Sequence, residues 1–133
     1  MSAETVYIDS SAFVKLFLPE PESPALSTYL AACPRKSSAM LLRTESLRAA
    51  IRVGLSPVRM RLVYDLLASV DFIATDPSLS DQAGTVPPPL LRSLDAIHLA
   101  TARSLAGRLS AFVTYDARLA DAAAWHGLPV VSP

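Results

Sequence analysis

The sequence predicts an α/β domain: a parallel sheet covered by helices on both faces. Short β-preferring runs alternate with helix-like segments along the whole chain. The runs Val6-Tyr7-Ile8, Phe72-Ile73 and Ala111-Phe112-Val113 are continuously apolar rather than alternating, as strands buried on both faces are. Composition agrees, with 51% hydrophobic and only 18% charged residues, where about 25% charged is usual. Sparse charge also fits an apolar patch reserved for a partner. The 133 residues suit one domain, 1–133, large enough to bury about two-thirds of its unfolded surface.

The elements follow in order. Thr5 to Ile8 reads as a strand ending at Asp9, and a helix follows from Ser10 or Ser11 to Leu18. Pro19-Glu20-Pro21 stops it, because the residue before a proline avoids helix. Ser23-Pro24 looks like a cap followed by proline at the first helical position, opening a helix to about Ala32. Lys36 to Met40 holds a short strand. Leu41 to Arg52 reads as a helix, with Gly54 as its stop. Ser56-Pro57 starts another, running through Leu67. Val70 to Ala74 reads as a strand, and a short helix after Asp76-Pro77 is weakened by Gly84. Leu91 to Ala106 is expected as a helix ending at Gly107. Ala111 to Thr114 is a strand, Asp116 caps a helix through Trp125, and Gly127 ends it. Val130-Val131 closes the chain as a strand.

Several classes are excluded or disfavoured. Net charge is zero, so nothing pulls the whole molecule towards nucleic acid, although a local basic patch remains open. A single cysteine, Cys33, rules out an intrachain disulfide framework and fits a reducing cytosol. Glu4 and Asp9 stand where a signal peptide needs a basic then an apolar run, and no apolar run is long enough to span a bilayer. A cytoplasmic protein without a membrane partner is therefore expected.

The acids carry the chemistry. Of the twelve, Glu4, Glu20, Glu22, Asp65, Asp71, Asp76, Asp81 and Asp121 lie in polar, loop or helix-surface contexts, where solvated charge is the default. Four are harder to explain. Asp9 ends the first strand, Glu45 opens the helix after the second, and Asp116 follows the strand Phe112-Val113-Thr114. Asp95 lies within the apolar-rich run Leu94-Asp95-Ala96-Ile97-His98-Leu99-Ala100, where burial is costly without a partner. Each has a plain alternative: a cap for Asp9 and Asp116, the helix dipole for Glu45, and a pair with Arg92 for Asp95.

Together these positions converge on one edge of a parallel sheet. Four carboxylates in one small space repel, and some would stay protonated without a cation. Mg²⁺ or Mn²⁺ suits such an all-oxygen site. Such an ion activates water and stabilises charge on a phosphate. His98 and His126 make no zinc set, and there is no CxxC or HExxH. His98, one turn after Asp95, reads as a helix histidine satisfied locally. Ser10 and Thr114 are candidates to hydrogen-bond the ligand carboxylates.

These residues carry a resemblance. Tyr7-Ile8-Asp9-Ser10-Ser11-Ala12-Phe13-Val14-Lys15, the Thr44-Glu45 helix, Leu94 to Ala100 and Val113-Thr114-Tyr115-Asp116-Ala117-Arg118-Leu119 resemble the PIN-domain family. Within it the chain looks most like VapC-type toxins of bacterial toxin–antitoxin pairs. The resemblance implies a three-layer α/β/α sandwich around a parallel sheet of about five strands. It implies a Mg²⁺- or Mn²⁺-dependent endoribonuclease, with the family's acids at Asp9, Glu45, Asp95 and Asp116 and its hydroxyl at Thr114. It implies an antitoxin encoded nearby whose flexible segment lies across the first three helices. A homodimer could bury part of the same surface.

On this reading Asp9, Asp95 and Asp116 hold the metal and Glu45 completes the shell or orients the attacking water. Arg43, Arg48 and Arg52, with Arg59 and Arg61 on the next helix, are candidates to grip RNA. Two rivals stay open: a structure-specific DNA nuclease, and a non-catalytic module that keeps the fold. A phosphoacceptor receiver is disfavoured, since Lys15 and Lys36 are the only lysines and neither follows a late strand.

Overall fold

The structure, a computed structural model, describes residues 4–133. Residues 1–3 of the expected domain lie outside the described residues. Five strands form one sheet: β1 (Thr5–Ile8), β2 (Lys36–Ala39), β3 (Asp71–Ile73), β4 (Leu109–Val113) and β5 (Val130–Val131). Their order is β3-β2-β1-β4-β5 and every pairing is parallel. Between them run α1 (Ser10–Phe13, tightening to a 3-10 turn over Val14–Leu16), α2 (Ser23–Ala31), α3 (Leu41–Arg52) and α4 (Pro57–Ala68). Then come α5 (Pro77–Thr85), α6 (Ser93–Ser104) and α7 (Ala117–Trp125).

The pleat of β1 and β4 divides the core. Val6 and Ile8, beside Ala111 and Val113, pack with Phe13, Phe17, Leu26, Leu42 and Val63 from α1 to α4. Tyr7 and its register partner Phe112 face the other way, with Leu79, Leu99 and Leu119 from α5 to α7. Their rings stack at 5.3 Å and 1°. Alternate side chains of a strand point to opposite faces, so a continuous apolar run fills both layers. The expected α/β/α sandwich with a five-stranded parallel sheet is what forms. Among the described residues no helix is long and apolar enough to cross a membrane.

Several boundaries shift: the first helix, expected to Leu18, ends in the turn at Leu16, and β4 begins at Leu109 rather than Ala111. In α2, Ser23 does not cap: its hydroxyl accepts from the Glu20 N–H at 2.9 Å, and Glu22 takes the position before the helix. The sixth helix starts two residues after Leu91, because the Leu91 N–H closes a turn on the Pro88 carbonyl. It also stops early, with Ala106 rather than Gly107 adopting positive φ, at 49°. Gly54 and Gly127, at φ 69° and 79°, end α3 and α7 as expected.

Candidate active site

From β1 the chain winds outwards through β2 to β3, then returns to place β4 and β5 on the other side of β1. The order reverses between β1 and β4, and ligands of open α/β sheets sit beyond the carboxyl ends at such a point. Asp9 follows β1 there and is 2% exposed. Its Oδ1 accepts from the Ala12 N–H at 3.0 Å, capping α1. Thr114, just past β4, donates to Asp9 Oδ2 at 2.6 Å. The Ser11 hydroxyl lies 2.8 and 2.9 Å from the two Asp9 oxygens and accepts from the Tyr115 N–H. The first strand's acid is thus tied to the fourth strand's end. Burial still pushes the Asp9 carboxyl above its ordinary pKa, against the pull of Thr114, His98, the Ala12 N–H and Ser11.

Asp116 and Asp95 approach from the α6–α7 side. Asp116 caps α7 by accepting from the Leu119 N–H, and its own N–H donates to Thr114 Oγ1 at 3.1 Å. Asp95 lies in the first turn of α6. The Arg92 guanidinium reaches both, 3.5 Å from Asp95 and 3.8 Å from Asp116. Burial, then the Asp116 charge, raises the Asp95 pKa, with Arg92 and His98 opposing.

Glu45 comes from the other layer, on the first turns of α3. His98 Nε2 lies 2.6 Å from its Oε1, and Ser10 donates to its Oε2 at 3.3 Å. His98 is buried, and its Nδ1 lies 2.6 Å from the Tyr7 hydroxyl. The locally satisfied histidine expected here is therefore corrected: its partners lie 91 and 53 residues away. Tyr7 and Ser11 escaped the sequence reading of the site. Tyr7 sits in an apolar strand, and the signal was its hydroxyl, since a buried tyrosine needs a partner.

The arginines separate. Arg48 and Arg52 line a groove of about 590 Å³ with Ser10, Ser11, Glu45 and Leu94. Arg43 instead lies over the Phe72 ring, 5.3 Å from its centroid. Five helical positions before Arg48 is about 140° around the helix, whereas four positions keep Arg48 and Arg52 on one side. Arg59 is occupied by the Phe17 carbonyl at 2.8 Å.

The donor set fits a hard divalent cation. The acids at this edge offer only oxygen; burial raises both the Asp9 and the Asp95 carboxyl, and the Asp116 charge adds to it at Asp95 alone. Among the described residues no group of three or more His, Cys, Asp or Glu side chains is placed so that it could hold a metal ion, so a cation here would rest on one or two carboxylates and water. An open arrangement suits Mg²⁺, which takes one or two carboxylates and keeps several waters.

Comparisons with known proteins agree with this architecture. The PIN domain family model matches residues 6–124. Ribonuclease VapC46 of Mycobacterium tuberculosis is 43% identical over 128 residues, 96% of this chain and 97% of the relative. Ribonuclease VapC47 of the same species is 38% identical over 132 residues, 96% of each chain. Among solved structures, M. tuberculosis VapC20, a sarcin–ricin loop cleaving toxin, superposes with TM-score 0.73 at 15% identity, covering 96% of this chain and 99% of that one. A chain of a toxin–antitoxin complex from Klebsiella pneumoniae gives 0.71 at 20% identity, covering 96% and 97%. With its sheet order, its acids at the β1/β4 edge and a match along nearly its full length, the chain belongs to the PIN domain family. The curated relatives it matches carry VapC ribonuclease names.

Proposed function

We propose that this protein is an endoribonuclease toxin of the VapC kind that hydrolyses RNA phosphodiesters at the β1/β4 edge and is restrained by an antitoxin. One observation supports it above all: the acids gather at the switch point of a chain that aligns end to end with VapC ribonucleases. Asp9, Asp95 and Asp116 would hold a Mg²⁺ or Mn²⁺ ion, one or two of them directly and the rest through water. Bound there, the ion supplies water activation and charge stabilisation on the phosphate.

The chain's own residues do the rest. Thr114 and Ser11 hold the Asp9 carboxylate in one orientation. Glu45 faces the cleft with each oxygen tethered once, and it accepts a proton from the attacking water. Arg48 and Arg52 contact the RNA backbone from the groove beside Ser10 and Ser11. Arg92 offsets the charges of Asp95 and Asp116, which it contacts at 3.5 and 3.8 Å. RNA is the substrate, an antitoxin the inhibitor, and a second copy of the chain a candidate partner.

The deciding experiment incubates the purified protein with RNA and with DNA, in Mg²⁺, in Mn²⁺ and in chelator. RNA cleavage that needs either ion is expected. Asp9→Asn and Asp95→Asn should each abolish it while unfolding cooperatively. Cleavage of DNA alone would favour the DNA nuclease, and no cleavage under any condition would leave a binding module. Full activity in either variant would remove that acid from the site.

A further inference from the structure

The proposed reaction leaves one buried arrangement unused, the chain of hydrogen bonds through Tyr7 and His98. We propose that His98, set by Tyr7, is a positioning residue that holds the Glu45 carboxylate at the cleft. The inference rests on the endoribonuclease reading above and adds the device that aims one of its acids.

The direction of the chain follows from its last acceptor: the ionised Glu45 carboxylate can only accept, so the proton of that contact sits on His98 Nε2. Nε2–H donates to Glu45 Oε1 at 2.6 Å. In a neutral imidazole the other nitrogen then accepts, so Nδ1 takes the hydrogen bond of the Tyr7 hydroxyl 2.6 Å away. The Ala39 N–H at the end of β2 donates to the Tyr7 hydroxyl oxygen at 3.1 Å. Tyr7 and His98 are almost wholly inaccessible, at 0% and 1% exposure. Water is thus excluded from their shared bond, and burial strongly raises the tyrosine pKa, so it remains a donor.

The chain also crosses the sheet edge. Tyr7 and His98 belong to the layer of α5 to α7, whereas Glu45 sits on α3 in the opposite layer. A glutamate has three side-chain torsions to order, and on a helix surface it samples several rotamers. Here Oε1 is held by α6 and Oε2 by Ser10 of α1, at 2.6 and 3.3 Å. Each oxygen thus has one tether, and Glu45 lines the groove with Arg48 and Arg52. A misplacement of a reacting group by about 1 Å can cost about a hundredfold in rate.

A merely structural His98 would tie the layers together, and its loss would lower stability without acting through Glu45. Three measurements separate the two roles. Long-range ¹H–¹⁵N spectra of the parent should show His98 protonated on Nε2. In RNA cleavage, Tyr7→Phe, which keeps the ring on Phe112, and His98→Leu should lower kcat about tenfold or more with KM little changed. His98→Gln, whose amide keeps a donor near the Nε2 position, should recover much of the loss. In a Glu45→Gln background the same changes should have no further effect, because residues acting as one unit are not additive.

His98 protonated on Nδ1 would overturn the inference. So would rate losses that persist undiminished in the Glu45→Gln background. If the parent cleaves no RNA, the proposed function fails, and the spectra alone decide whether the chain exists as described.

Discussion

Asp9 accepts from Ala12, Thr114 and Ser11, yet its pKa lies above the ordinary carboxylate value. Those donors offset only part of the desolvation. Asp95 shares the problem, with the Asp116 charge added to burial. A raised carboxyl pKa means the native state holds its proton to higher pH than the unfolded chain. Stability from this group is therefore lost as pH rises from about 3.9 through the higher native value, and stays lost above it. Asp95→Asn removes the titration. Its Tm relative to the parent should be more favourable at pH 7 than at pH 3, in chelator, by calorimetry. Mg²⁺ should raise the parent's Tm more than the variant's. A pH-independent difference would mean Asp95 carries no such strain. The loose Arg92 contact is a minor loss, since exposed ion pairs contribute about 0–1 kcal/mol. Lys15 shows a residue the sequence undervalued: it is 9% exposed. Its ammonium meets Glu20 at 2.6 Å and Glu22 at 3.2 Å, acids otherwise read as solvated.

At the scale of elements, ends are decided by single residues. Ser56 accepts from the Arg59 N–H and Asp76 from the Leu79 N–H, so α4 and α5 begin where the Ser-Pro and Asp-Pro pairs predict. Two glycines should respond in opposite directions. Gly127 ends α7 at φ 79° with nothing within 4 Å of an added Cβ, so the cost of Gly127→Ala is conformational alone. It should destabilise by about 1–2 kcal/mol. Gly84 lies inside α5, also with open space and without positive φ, so Gly84→Ala should stabilise by about 0.4–1 kcal/mol. Urea unfolding with unchanged m-values checks both. If Gly127→Ala proves neutral, the left-handed cap is not what ends the helix. Helix α3 was legible to its last residue because an apolar period and a terminal glycine agree. Helix α6 was not, because a turn through Pro88 and the left-handed Ala106 override the pattern.

Across the whole molecule, the two layers bury their inner faces but leave apolar side chains outside. On α3 and its C-terminal end, Ile51 is 59% and Val53 55% exposed, and Leu94 across the groove is 50% exposed. Val53 and Leu94 line the groove that holds Glu45, Arg48 and Arg52. On the proposed reading, the antitoxin segment that covers this groove carries apolar anchors and a basic side chain for the acids. Co-expression with the neighbouring reading frame should give a complex on size exclusion. Hydrogen exchange in α1 to α3 should slow in that complex, RNA cleavage should fall, and Ile51→Asp should weaken the assembly. A protein that elutes unchanged, with those helices equally protected alone and mixed, would refute this surface.

The sequence by itself determined the class of fold, nearly all the element order and the identity of the suspect acids. These follow from local signals: apolar period, caps, prolines, and carboxylates that each have a plain explanation singly but recur at the ends of predicted strands. Tertiary structure alone decided which groups meet. It put Arg92 across Asp95 and Asp116, turned Arg43 away onto Phe72, and joined Tyr7 to Glu45 through His98. Those contacts link residues up to 91 positions apart. They depend on strand order and on which face each side chain takes, and hydrogen bonds of a few ångströms leave no trace in local periodicity.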